Sequence, residues 1–270
     1  MEMIGKMGQL NPLITDSGTF EFDGINSENV LEDAILEIME LTSESSTIDF
    51  GADRDIEINQ DGEFLSYGGF TKKTKDFDLC ISKTNSQHLP LQYTHEDLRK
   101  IKKWIYKSSF LPLVKDGYTM YIMAEKGSMT LYGGDKGIIR ITVKSLPYKY
   151  KYKEISKHVT NFADIPLQNL SEINDEDIKI DFEVKMSQGT SFKLTNYKTK
   201  EEFIIENMKE EENFKVTGEQ NFIESLVNAK RNLYILTNKV FPKLEYGDNA
   251  LTVFATEADV KISYAELYSI

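Results

Sequence analysis

The chain has 270 residues, enough for one large domain or two of about 100–150 residues each. Its apolar and charged fractions, 40% and 28%, are those of a folded protein, and a net charge of −12 argues against general nucleic-acid affinity, which needs a basic surface to displace phosphate counterions. Cys80 is alone and excludes an internal disulfide; the opening MEMIGKMGQL lacks the pattern of a signal peptide, and no stretch nears the roughly 20 apolar residues of a bilayer span. A soluble product of a reducing cytosol, without membrane contact, is expected.

Residues 1–17 are weakly patterned and read as a flexible or partner-dependent lead-in. Phe20-Glu21-Phe22 alternates like a short strand and ends in the turn residues Asp23-Gly24. Asn29 and Glu32 have capping-box spacing, and Leu31, Ala34, Ile35, Ile38 and Leu41 follow at helical intervals, so 30–41 taken alone predicts an amphipathic helix. Residues 42–75 are polar with sparse apolar positions; Asp61-Gly62 between Ile58 and Phe64 predicts an extended hairpin that leans on something else.

Phe77, Leu79 and Ile81 alternate with Asp78 and Cys80 as in a half-buried strand. The clearest helix spans about 94–107: Thr94 and Asp97 form a capping box, and Leu98, Ile101, Trp104 and Ile105 supply an apolar face. Asp116-Gly117 then turns into a strand at Tyr118–Met123, Gly127 and Gly133-Gly134 punctuate two more, and Ile139, Ile141 and Val143 close this half. Pro147 and the run Tyr148–Lys153 change the texture, which places a domain boundary near 150.

The second half reads as all-β. Ile178, Ile180, Phe182, Val184 and Met186 keep period two, giving one buried and one wet face. Shorter strands are predicted at 203–205, 214–216 and 233–236, followed by alternation at Leu251, Val253, Ala255 and at Val260, Ile262, Tyr264. The fold class is mainly β with one or two helices: an α+β domain over 18–150 and a β-sandwich over 151–270.

Catalytic machinery is thin. His88, His95 and His158 lack metal-ligand spacing, and Cys80 has no evident activating base. The Gly133–Gly137 loop departs from the phosphate-loop pattern and leads into a strand, so a hairpin turn explains it better. The acidic runs 174–177 and 210–212 lack EF-hand spacing and read as solvated loops. Tyr148, Tyr150 and Tyr152 alternate with lysines as a base-stacking surface would, but a connecting strand with tyrosines inward suits an acidic chain better.

These residues together resemble the siphophage distal tail protein family. Its opening F-x-F-x-G-x-x-S is matched by Phe20, Phe22, Gly24 and Ser27, its helix ending near a tryptophan by Trp104, and its C-terminal F-P-x-L-x-x-G-x-N by Phe241, Pro242, Leu244, Gly247 and Asn249. The family usually has an extended segment where 31–41 reads helical. The resemblance implies a non-enzymatic structural hub of a virion tail tip, a hexameric ring joining the tail tube protein to tail-associated and receptor-binding proteins. It implies a galectin-like or carbohydrate-module-like outer sandwich, DNA only in transient passage, and no cofactor or metal. Ile56, Ile58 and Phe64 would suit a hairpin arm clasping the next subunit. The competing reading is a carbohydrate- or receptor-binding module in the second half, with Tyr197, Tyr234, Tyr246 and Tyr268 as candidate stacking rings.

Overall fold

Alternation of buried and exposed side chains along antiparallel strands dominates the computed structural model, which describes residues 18–43, 54–58, 64–70, 74–125, 129–132, 137–173 and 177–269. The expected lead-in 1–17, the Asp61-Gly62 turn, Gly127, most of the Gly133–Gly137 loop and Asn174–Glu176 lie outside the described residues. The chain divides into two compact units, one of the residues up to Tyr150 together with the last two of the chain, the other spanning Lys151–Tyr268. Among the described residues, no helix is long and apolar enough to cross a membrane.

In the first unit, strand Lys75–Thr84 is central. It pairs antiparallel with Ile35–Ser43 on one side and with residues 138–145 of strand Ile138–Asn169 on the other. Further along, the same long strand pairs with Tyr118–Ala124, which continues through Leu111–Lys115 to Glu21–Phe22. The inward side chains Leu36, Ile38, Phe77, Leu79, Ile81, Ile139, Ile141 and Val143 are all buried, and Ile101, Trp104 and Ile105 of helix His95–Ile105 join them. Thr94 caps that helix: its hydroxyl accepts from Asp97 N at 3.1 Å, while the Asp97 carboxylate accepts from Thr94 N at 2.7 Å. It is the α-helix of the described residues.

The helix expected over 30–41 is a strand. The apolar set there fits both periods, since Ala34, Leu36 and Ile38 also alternate, and pairing with Lys75–Thr84 selects period two. Asn29 and Glu32 cap nothing; instead Asn26 accepts from Glu28 N at 2.9 Å and caps a short 3-10 turn, Ser27–Asn29.

In the second unit, strand Asp181–Asn196 pairs along its length with Gly247–Ser269. Its other edge pairs first with Asn213–Thr217 and then with Glu201–Ile205, and Phe222–Ser225 extends the former. Four phenylalanines, Phe182, Phe192, Phe203 and Phe214, pack at the centre, with Phe182 edge-on to Phe203 at 5.1 Å between centroids.

Three expectations are corrected here. The two strands predicted around 253 and 262 are one, Gly247–Ser269, with no glycine or proline between Ala255 and Val260. The break in alternation, with Ala255 and Ala258 both buried, is absorbed by register shifts opposite Met186, Gln188 and Phe192. The strand predicted at 233–236 is a 3-10 turn, Tyr234–Leu236, preceded by buried Leu233 and carrying Ile235 at 71% exposure. Of the run 148–152, Tyr148 is buried, whereas Tyr152 is exposed on a strand that continues unbroken.

Candidate functional site

The opening motif builds a lock between strand and helix. The Ser27 hydroxyl, fully buried, accepts from Phe20 N at 3.1 Å, and the Trp104 indole donates to the Phe22 carbonyl at 3.1 Å. Phe20 stacks on Trp104 at 5.3 Å, and Phe22 meets it edge-on at 5.9 Å. Gly24 adopts φ +73°, the left-handed conformation that the turn after Phe22 requires. Phe20, Phe22 and Ser27 therefore act on the backbone or core, Gly24 serves the turn, and none is presented for chemistry.

The C-terminal motif is a loop tied by one side chain. Asn249, buried, donates to the carbonyls of Glu245 and Gly247 at 2.8 and 2.9 Å, and accepts from Glu245 N and the Asn196 amide, each at 3.2 Å. Gly247 supplies φ +86° at the bend. Phe241 and Pro242 are buried just before it, with Phe241 against Phe203 at 5.8 Å and Tyr234 at 6.3 Å.

Charged groups are mostly spent on each other. The Glu37 carboxylate, buried, accepts from the Thr84 hydroxyl and contacts His88 Nδ1, both at 2.8 Å. Buried Glu212 pairs with Arg231 and Ser225. Burial alone would raise the Asp97 carboxyl, but hydrogen bonds from Lys83 (2.7 Å) and Thr94 outweigh it and hold the group below the ordinary carboxylate range. A cleft of about 310 Å³ on the second unit contains His158, Glu183, Lys185, Asp259 and Lys261. There His158 lies 2.8 Å from Asp259, Lys185 3.6 Å from Glu183, and Lys261 2.6 Å from Glu154, so each carboxylate faces a basic side chain rather than another carboxylate. Among the described residues, no group of three or more potential metal ligands comes together.

A second cleft, about 390 Å³, differs in character. Phe254 and Lys193 are among its lining residues, with Lys193 Nζ 5.5 Å from the centre of the Phe254 ring; Phe162, outside the lining, has its ring 6.5 Å from that of Phe254 and tilted by 35°. These residues were not singled out from sequence, although Phe254 falls out of phase with Leu251, Val253 and Ala255 and so had to face outward. The four candidate tyrosines are scattered over separate elements. Tyr197 and Tyr246 are exposed, Tyr234 stacks on Phe241, and the Tyr268 hydroxyl donates to Glu266. Of the candidate interface residues, Ile56 pairs with Tyr67 and Ile58 with Phe64 across a hairpin of strands Arg54–Ile58 and Phe64–Phe70, which form a sheet of their own.

Residues 148–264 match the family model described as phage tail C-terminal domain. No curated protein matches the sequence. Among solved structures, the chain is similar to the Dit protein of phage SPP1, whose description calls it a paradigm of the hub adsorption apparatus in phages infecting Gram-positive hosts. The identity is 13%, the TM-score 0.60, and the alignment covers 94% of this chain and 99% of that one.

Proposed function

We propose that this chain, which has the fold of a phage distal tail protein and carries a phage tail C-terminal domain over residues 148–264, is a structural hub of the virion tail tip that works by position rather than by catalysis. The observation that carries this reading is the shared fold over nearly the full length of both chains. Residues 18–150 form the ring-building domain, and residues 151–270 form an outer domain of sandwich type. Six copies close the ring through one repeated heterologous interface. The ring joins the tail tube to the tail-associated and receptor-binding proteins.

The separate hairpin supports a clasping arm. Among the described residues its strands pair with each other in a sheet of their own, which leaves edges to offer a neighbouring subunit, with Ile56, Ile58 and Phe64 as the proposed apolar contacts. The net charge of −12 supports a lumen through which DNA slides without sticking. Light scattering on the purified chain tests the assembly, with an expected mass six times the 31.0 kDa of the subunit. Deletion of residues 47–70 abolishes closed rings in electron micrographs; rings that persist would refute the arm. The paired-off charges of the His158 cleft favour no hydrolytic alternative.

A further inference from the structure

We propose that the stretch from Phe222 to Val240 in the second unit is a docking surface for an anionic lipid bilayer. Of the fifteen large apolar side chains exposed among the described residues, six fall in this stretch: Phe222, Leu226, Val227, Tyr234, Ile235 and Val240. Val227 at 63% and Ile235 at 71% are the most exposed of the fifteen. Scattered apolar residues at a surface are ordinary, but six along one connection form a patch. Strand Phe222–Ser225 and the 3-10 turn Tyr234–Leu236 lie beside each other, which gathers the two ends of the stretch.

The exposure is built into a fixed backbone. The Arg231 guanidinium pairs with the buried Glu212 carboxylate and anchors the middle of the stretch. The Ser225 hydroxyl accepts from Asn228 N at 2.9 Å, and Arg231 N donates to the Asn228 carbonyl, also at 2.9 Å. Asn238 N donates to the Ile204 carbonyl at 3.0 Å and its side-chain amide to the Glu202 carbonyl at 2.7 Å, which fastens the far end to strand Glu201–Ile205. Held at these points, Val227 and Ile235 stand in water while Leu233 between them is fully buried.

Charge selects the occupant. From Ser225 to Leu244 the sequence has four cations, Lys230, Arg231, Lys239 and Lys243, and no carboxylate, in a chain of net charge −12. Arg231 and Lys243 pair with Glu212 and Asp177, which leaves Lys230 and Lys239 without a carboxylate partner among the described residues. Lys239 Nζ lies 5.7 Å from the centre of the Tyr234 ring. Protein interfaces are enriched in aromatics, methionine and arginine and depleted in lysine. Here four of the six exposed side chains are aliphatic, suited to the acyl boundary, and Tyr234 carries the ring that settles at headgroup level. The lysine stems reach along the apolar surface and bring their ammonium groups to lipid phosphates. Such adsorption is peripheral and needs no spanning segment, whereas the expectation of no membrane contact followed from the lack of one. At physiological salt the Debye length is about 8 Å, so the patch rather than the net charge of the chain sets the attraction. The inference concerns the surface of the second unit and needs neither the ring nor the tail-tip assignment.

Co-sedimentation of the full chain with sucrose-loaded vesicles tests it. Vesicles of phosphatidylcholine mixed with phosphatidylglycerol should bind the protein, and pure phosphatidylcholine should bind it roughly tenfold less well. Lys230→Gln and Lys239→Gln should each weaken binding to the mixed vesicles about fivefold. Val227→Ser combined with Ile235→Ser should abolish it, whereas Leu89→Ser, at an exposed position of the first unit, should leave it unchanged. Salt at about 1 M, where the Debye length shrinks to about 3 Å, should release most of the protein. Unchanged thermal unfolding confirms that the variants fold. The proposal is overturned if the chain stays in the supernatant with mixed vesicles, if it sediments equally with pure phosphatidylcholine, or if the serine pair binds as the parent does. It is also overturned if that pair lowers the oligomeric mass in light scattering, which would make the patch a contact between copies. A chain that forms rings but ignores vesicles would sink this proposal and leave the hub standing; vesicle binding by a chain that forms no rings would do the reverse.

Discussion

Replacing Asn249 by alanine tests whether one side chain holds the C-terminal loop. Its amide and carbonyl make four hydrogen bonds, to the carbonyls of Glu245 and Gly247, to Glu245 N and to the Asn196 amide. A neutral hydrogen bond contributes about 1 kcal/mol net, and a buried group left unsatisfied costs about 1–3 kcal/mol. Asn249 is 4% exposed, and Asn196 keeps its bond to the Lys243 carbonyl, so part of the network survives. The balance is a loss of about 3 kcal/mol from the second unit, or roughly 10 °C in its melting temperature for a unit of this size. Calorimetry of the full chain measures it, with Asn249→Asp as a second variant. The aspartate keeps the acceptor, loses both donors and points negative charge at two carbonyls, so it should unfold no later than the alanine variant. A melting temperature for Asn249→Ala within a degree or so of the parent would refute the idea that this residue ties the loop.

Trp104→Phe retains an aromatic ring near Phe20 and removes the indole bond to the Phe22 carbonyl; a loss of about 1–2 kcal/mol in denaturant unfolding of the first unit is expected. Asp97 has a folded-state pKa below its unfolded value, so its stabilising share is present above the ordinary carboxylate pKa and is lost as pH falls through the folded one. Denaturation midpoints of the parent and Asp97→Asn should therefore converge as pH drops from neutral into the acid range, and parallel curves would contradict this. Gly24→Ala meets no atom within 4 Å but is forced into φ +73°, so it should destabilise by about 1 kcal/mol, measured by thermal denaturation.

The sequence was most legible where local chemistry and tertiary demand coincide. Thr94 and Asp97 cap the helix in the structure as their spacing predicts, and the period-two run through Phe182 and Val184 forms one buried face. It was least legible where two periods overlap. The apolar residues of 31–41 satisfy a helix template in isolation, and only pairing with Lys75–Thr84 decides for a strand. The merged strand Gly247–Ser269 was hidden because a bulge changes which residues face inward without any turn residue to announce it. The motif residues Ser27 and Asn249 could be picked out by spacing, but their roles as buried hydrogen-bond ties depend on partners far away in the chain.

The single tryptophan has an optical consequence. Trp104 is buried between Phe20 and Phe22 in the first unit, and the second unit contains no indole. Fluorescence excited at the red edge of the aromatic band therefore reports the first unit alone, and a red shift of its emission marks the moment water reaches that pocket. Circular dichroism in the far ultraviolet sees the strands of both units at once. Comparing the two signals during unfolding separates the melting of one unit from that of the other without a label or an added reporter residue.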